Sequence, residues 1–196
     1  MILALVLAAG RSERMGKPKA LLPLRGGTFL EAILATIAGG GLDGAKVVLG
    51  HGSEEIRERI ALADDLVVIN ADWPRGMLSS IRAGLRALPP ETEAFLLWPV
   101  DHPLVTADTV DHLVAAFRAG AGPIVVPRHA GRRGHPVLFD ARLAGEVESA
   151  PDDVGAKSVV HAHEGSVAAI DVVDPGIITD IDTPEAYESA LGRAPR

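Results

Sequence analysis

Short, unbroken apolar runs alternate with longer segments of helical periodicity along most of this chain. Ile2 to Val6 is the first such run; "AKVVLG" from Ala45, "LVVI" from Leu66, "AFLLWPV" from Ala94 and "GPIVVP" from Gly122 follow it. Each is too short for a helix and apolar on successive residues, the pattern of a strand buried on both faces of a parallel sheet. Between them lie "FLEAILATIAGGG" from Phe29, "SEEIRERIAL" from Ser53, "MLSSIRAGLRAL" from Met77 and "TADTVDHLVAAFRAG" from Thr106. These carry apolar residues at helical spacing, as in Phe29, Leu30, Ile33, Leu34 and Ile37, or Val110, Leu113, Val114 and Phe117. Three glycines stop the first and the pair Pro89-Pro90 the third, and Ser53 is the expected N-cap of the second. Alternation of this kind predicts one α/β domain over residues 1–196, with a mostly parallel central sheet and helices on both faces. "HPVLF", reached through the glycine- and arginine-rich "RHAGRRG", is expected as a small antiparallel addition near residues 135–139. A late strand in "SVAAIDVV" and a helix from Thr183 complete the reading.

Composition removes several functions. Hydrophobic residues make up 47% and charged residues 23%, which suits a globular domain. The net charge of −7 opposes broad binding to nucleic acid or an anionic membrane, and 4% aromatics leave little for a base-stacking platform. There is no cysteine, so disulfides, thiolate zinc sites and iron–sulfur clusters are excluded. No apolar run approaches the roughly 20 residues that span a bilayer, and the start lacks the basic flank of a signal peptide. The compartment expected is the cytoplasm.

In open α/β sheets ligands collect at the carboxyl ends of the strands. The first strand runs into "LAAGRSERMGKPKALLPL", Leu7 to Leu24, with glycines at 10 and 16, Arg11, Arg14, Lys17 and Lys19. The spacing is neither that of a P-loop nor G-x-G-x-x-G. The ingredients nevertheless suit phosphate: the small residues Ala8, Ala9 and Gly10 present bare backbone, Arg14 a planar fork and Lys19 a point charge. Asp101 follows the fourth strand, and Asn70 and Asp72 the third. These loops are expected to meet at one edge of the sheet.

The same opening stretch resembles the signature of the MobA-like nucleotidyltransferases, and more specifically that of the molybdenum cofactor cytidylyltransferases. "GMLSSIRAGL" from Gly76, "RRGHPVLF" from Arg132, "DDVGAK" from Asp152 and "DIDTPEAY" from Asp180 each resemble a block of that family, in family order. The resemblance implies a Rossmann-like nucleotidyltransferase domain. It implies that CTP, or another nucleoside triphosphate, donates a nucleotidyl group to the phosphate of molybdopterin, with Mg²⁺ as cofactor and a molybdoenzyme as possible recipient.

By the resemblance, Arg14 and Lys19 hold the triphosphate, and Leu7 to Gly10 with Ser79 and Ser80 contact the nucleotide. Arg14, Lys19 and Asp101 form the catalytic set; Arg132, Arg133 and His135 meet the anionic acceptor. Asp101 is the metal ligand best supported by its place after a buried strand, although an Asp there also suits a turn cap. Asp182 is open between second metal ligand and helix cap, because "DTPE" also reads as a helix start with Asp182 or Thr183 as N-cap. Asp180 and Asp182, two apart on an extended chain, point the same way. The role of His102 is open. His161 and His163 in "HAH" read as a solvated helix end.

"LAAG" and "RGHPVLF" favour the cytidylyl branch by resemblance. The alternatives are GMP transfer from GTP to the same acceptor, activation of a sugar or alcohol phosphate, and a non-catalytic partner delivering molybdenum cofactor. Nucleic acid and membrane are not expected partners.

Overall fold

The computed structural model describes residues 1–192. Strand β1 (Ile2–Ala8) lies at the centre of the main sheet, buried along its whole length. On one flank come β4 (Gly44–Leu49) and β5 (Val67–Ile69), both parallel to their neighbours. On the other come β6 (Ala94–Pro99), β9 (Val137–Asp140), β7 (Ile124–His129) and β10 (Val167–Asp171). β9 runs antiparallel to both β6 and β7, so the addition expected near residues 135–139 is an interior strand of the sheet. A two-residue strand, β8 (Arg132–Arg133), folds back on β7. β2 (Pro23–Leu24) and β3 (Gly27–Thr28) form a separate hairpin.

Side chains on a strand alternate between faces, and β1 uses both. Ile2, Ala4, Val6 and Ala8 pack with Leu30, Ile33 and Ile37 of α1 (Phe29–Gly39), Val110 and Leu113 of α4 (Ala107–Arg118) and Tyr187 of α7 (Pro184–Leu191). Leu5 and Leu7 face the opposite layer, with Leu78, Ile81 and Leu85 of α3 (Met77–Arg86), Val147 of α5 (Ala144–Glu148) and Val159 of α6 (Lys157–Ala162). Continuous apolar strands were legible for this reason: both faces are covered.

Local signals fix the helix starts. Thr28 and Glu31 form a reciprocal capping box at α1. At α2 (Ser53–Arg59) the expected serine cap is corrected: Gly52, at φ 70°, is the capping residue, and Ser53 is already helical with no capping side-chain bond. The chain leaves β4 through a Gly50–Gly52 bridge, and the left-handed turn at Gly52 aims it into the helix one residue early. At α7 the open choice resolves onto Thr183, whose side chain accepts from the Ala186 N–H. His161 and His163 close α6, and His163 pairs with Glu146. Among the described residues no helix is long and apolar enough to cross a membrane.

Candidate functional site

A cleft of about 600 Å³ opens at the carboxyl ends of β1 and β6. Leu7, Ala8, Ala9 and Gly10 line it as β1 ends, and a Cβ at Gly10 would meet open space. The loop then makes a short helical turn, Glu13–Met15, entered through Ser12 at φ 54°. The Ser12 hydroxyl accepts the Lys19 N–H at 3.0 Å, which closes the loop on itself and aims Lys19 inward.

Lys19 is the hub. Its ammonium donates to Asp101 Oδ2 at 3.0 Å and also to Asp182 Oδ1. Arg14 pairs with the other oxygen of Asp182. Two cations thus neutralise two carboxylates that would otherwise repel. The side chains of Lys19 and Asp101 are only 13% and 19% exposed, so the pairing sits where solvent screens it weakly. The Ile181 N–H donates to the Asp101 carbonyl at 3.0 Å and Ile181 is fully buried, which anchors the Asp180–Asp182 segment beside the end of β6.

Oxygens of Asp101, Asp180 and Asp182 lie within 4.8 Å of one another. Asp101 Oδ1 is buried without a hydrogen-bond partner. Close carboxylates with one unsatisfied, inward oxygen form a hard donor set that suits a divalent cation. Asp180 completes this set; its signal in the sequence was the i, i+2 spacing to Asp182.

The third wall is the turn Trp73–Arg75 and the start of α3. Gly76 adopts φ 99° and ψ −178°, a conformation open to glycine alone, and it turns the chain into α3. Asn70 holds this wall from behind. Its amide donates to Ser79 Oγ at 2.9 Å and Ser80 Oγ at 3.0 Å, and its oxygen accepts the Asp72 N–H. Ser80 lines the cleft. Ser79, also expected to contact the nucleotide, does not line it: its hydroxyl is taken up by Asn70 and by the carbonyls of Asp72 and Gly76. Trp73 was not expected here. Arg11 lies over its ring at 5.3 Å and His51 packs against it at 5.1 Å. The sequence did carry a hint, since it has 2 tryptophans and this one falls outside any apolar run.

A second cavity of about 280 Å³ adjoins the first and shares Leu7, Met77 and Pro99 with it. Leu78, Ile81 and Leu97 form one side; His135 and the turn Asp152–Lys157 form the rest. Gly134 is pressed so closely on the 175–178 turn that a Cβ would lie 2.2 Å from the Ile177 carbonyl oxygen, and the His135 N–H donates to that same oxygen. Burial, with a smaller repulsion from His102, pushes the His135 imidazole down to about 4, so it is neutral at pH 7. The rings of His102 and His135 are 4.9 Å apart. Arg132 and Arg133, expected to meet the acceptor, do not line this cavity. Both are exposed on the β8 hairpin, and Arg133 makes a two-pronged pair with Glu164.

Residues 4–167 match the MobA-like NTP transferase domain. Nicotine blue oxidoreductase of Paenarthrobacter nicotinovorans is 35% identical over 192 residues, covering 94% of this chain and 93% of that one. Molybdenum cofactor cytidylyltransferase of Escherichia coli K12 is 29% identical over 190 residues, covering 96% and 95%. The crystal structure of Rv0371c from Mycobacterium tuberculosis in complex with manganese superposes with a TM-score of 0.81 at 31% identity, covering 98% of this chain and 99% of that one. The chain belongs to the MobA-like NTP transferase family and is an enzyme of the nucleotidyltransferase type.

Proposed function

We propose that this enzyme transfers CMP from CTP to the phosphate of molybdopterin, with Mg²⁺ as cofactor, and releases pyrophosphate. The observation that carries this reading is Lys19, held between Asp101 and Asp182 with Arg14 alongside, at the mouth of a loop of bare backbone. The choice of CTP and of the pterin acceptor is supported by the "LAAG" and "RGHPVLF" blocks and by the similarity to the E. coli cytidylyltransferase.

In the reaction an oxygen of the acceptor phosphate forms a bond to the α-phosphorus of CTP. The bond from that phosphorus to the bridging β-oxygen breaks, and its electron pair leaves with pyrophosphate. Such a transfer needs alignment and charge neutralisation more than covalent help. Arg14 and Lys19 supply fixed positive charge where negative charge moves from the attacked phosphate to the leaving group. Backbone from Leu7 to Gly10 and the Ser80 hydroxyl hold base and ribose. Asp101 and Asp182, with Asp180 beside them, would hold Mg²⁺, which when bound supplies further positive charge to the phosphate oxygens.

Calorimetric titration with CTP, GTP, ATP and UTP, with and without Mg²⁺, tests the donor. Mg²⁺-dependent preference for CTP supports the reading; preference for GTP moves the enzyme to GMP transfer. Release of labelled pyrophosphate on adding molybdopterin then tests the acceptor, and a recipient molybdoenzyme would be sought only after it. A second reading, an oxidoreductase, is favoured by the 35% identity to nicotine blue oxidoreductase. Adding NADH and NADPH to the same titration separates it, since tight binding of either with no response to any triphosphate would replace the first reading.

A further inference from the structure

Asp101 and Asp182 carry four carboxylate oxygens between them, and side-chain cations engage three. Lys19 takes Asp101 Oδ2 and Asp182 Oδ1, and Arg14 takes Asp182 Oδ2. Asp101 Oδ1 is left, buried and without a partner. His102 Nε2 lies 3.9 Å from it, too far to donate. The Lys19 ammonium therefore bridges the two carboxylates, and a divalent cation taking oxygens of both would have to lie where the ammonium lies. Two cations cannot share that place. The Lys19, Asp101 and Asp182 side chains are 13%, 19% and 23% exposed, so solvent screens the repulsion weakly. Arg14, 66% exposed, meets Asp182 closer to solvent. The backbone of Lys19 is fixed, because its N–H donates to Ser12 Oγ at 3.0 Å, but the four-carbon stem beyond it is flexible.

We propose that Lys19, with Arg14 beside it, holds the place of the divalent cation, so that the carboxylates bind metal tightly only when a triphosphate draws both side chains away. The triphosphate is taken from the nucleotidyl-transfer reading; the competition between lysine and metal stands on the geometry alone. Both cations line the cleft beside Ala8, Ala9 and Gly10, where polyphosphate oxygens would offer them new anionic acceptors. Lys19 then swings off Asp101 and Asp182 on its stem, and the freed oxygens join Asp101 Oδ1 in facing the metal. Without those phosphate oxygens, a dication has to push the ammonium aside or meet it at close range, and its affinity falls. The charge count points the same way. Three carboxylates already face two cations, so the cluster alone has little negative charge left for a dication, and a triphosphate restores it. By linkage, the factor by which triphosphate raises metal affinity is the factor by which metal raises triphosphate affinity. The arrangement keeps the carboxylates paired and keeps divalent ions out of the cleft until the donor substrate arrives.

The test is metal binding by the full chain, with paramagnetic Mn²⁺ as the probe and loss of the free-ion electron paramagnetic resonance signal as the readout. Wild type, Lys19→Met, Lys19→Arg and Lys46→Met are titrated without nucleotide. Lys46 lies on β4 outside the cleft, where its ammonium donates to the Asp65 carbonyl at 2.6 Å, so its loss controls for net charge. Lys19→Met is expected to bind Mn²⁺ about tenfold tighter than wild type, with Lys19→Arg and Lys46→Met close to wild type. Should Lys19→Met not fold, Arg14→Met, which alters an exposed side chain, takes its place and is expected to tighten Mn²⁺ binding by a smaller factor. Mn²⁺ binding that is unchanged or weaker in the cleft variant overturns the proposal, as does equal tightening in Lys46→Met. Repeating the wild-type titration with a non-hydrolysable CTP analogue, which is expected to tighten Mn²⁺ binding, separates the two readings. Tightening by the variant but not by the analogue keeps Lys19 as the metal's competitor and counts against the nucleotidyl-transfer reading. Tightening by the analogue but not by the variant keeps that reading and removes the proposal.

Discussion

The backbone N–H of Ile181 donates to the carbonyl of Asp101 at 3.0 Å, and this bond brings together two carboxylates that are far apart in sequence. Asp182 then lies within reach of Lys19, which also pairs with Asp101. Lys19→Ala removes the cation between them and the charge proposed to face the triphosphate. Its turnover is expected to fall by about 10²–10³. Its melting temperature is also expected to fall, and to recover in part when Mg²⁺ is added, because a ligand that binds only the folded state stabilises it. Wild-type turnover in this variant would remove Lys19 from the mechanism.

Asp101→Asn tests the inward carboxylate separately. The change is nearly isosteric and keeps an oxygen for Lys19, so the fold should persist. With the charge gone, the Mg²⁺ dependence of CTP binding is expected to weaken and turnover to drop by at least about tenfold. A calorimetric Mg²⁺ response equal to wild type would assign Asp101 to a structural role.

Thr183 and Asp182 were indistinguishable as caps in "DTPE", and the structure divides their work. Thr183 caps α7, while Asp182 faces Lys19 and Arg14. Thr183→Ala is expected to lower stability by about 1 kcal/mol in urea unfolding with little change in turnover. Asp182→Asn is expected to do the opposite, losing turnover while melting close to wild type. Exchanged outcomes would restore the capping reading of Asp182.

Most of the architecture was legible because each strand of the sheet's centre is covered on both faces and so carries an unbroken apolar run. The placement of β9 between β6 and β7 was not legible, because sheet order depends on long-range pairing that a local pattern does not encode. The loop after β1 and Asp101 stood out through charge next to apolar strands, whereas Asp182 was singled out only by the resemblance of "DIDTPEAY" to a family block. Ser79 and Ser80 were not separable: both accept from Asn70, and only the bonds of the Ser79 hydroxyl to the carbonyls of Asp72 and Gly76 show which of the two is turned away from the cleft. The placement of Arg132 and Arg133 outside both cavities was not legible for a related reason, since a charged hairpin gives no sign of which way it folds. Trp73 was missed because its position depends on a close contact with Gly50 rather than on any motif.

That contact yields a further expectation. A Cβ at Gly50 would lie 2.6 Å from the Cβ of Trp73 and 2.9 Å from the carbonyl of Ala9. Gly50→Ala therefore displaces both the tryptophan and the backbone that lines the cleft. Nucleotide affinity is expected to fall by about tenfold or more, whereas Trp73→Ala alone, which leaves Ala9 in place, should cost less. Equal affinity in Gly50→Ala and wild type would show that this wall does not touch the nucleotide.

His135 gives a pH signature that is independent of turnover. Its imidazole, ordinarily near 6.5, is pushed down to about 4 chiefly by burial, with His102 adding to the effect and Asp101 opposing it. Above pH 6.5 the ring is neutral in both the folded and the unfolded chain, so it does not alter stability. As the pH falls from 6.5 toward 4, the unfolded chain takes up a proton that the folded one refuses. Stability is therefore lost across that window, by roughly 3 kcal/mol in total, and the loss stops below about 4 where both states are protonated. Urea unfolding of wild type and His135→Asn between pH 7 and pH 4 should show a steeper loss in wild type. Parallel curves would mean that the imidazole reaches solvent, and would count equally against its place at the inner edge of the second cavity.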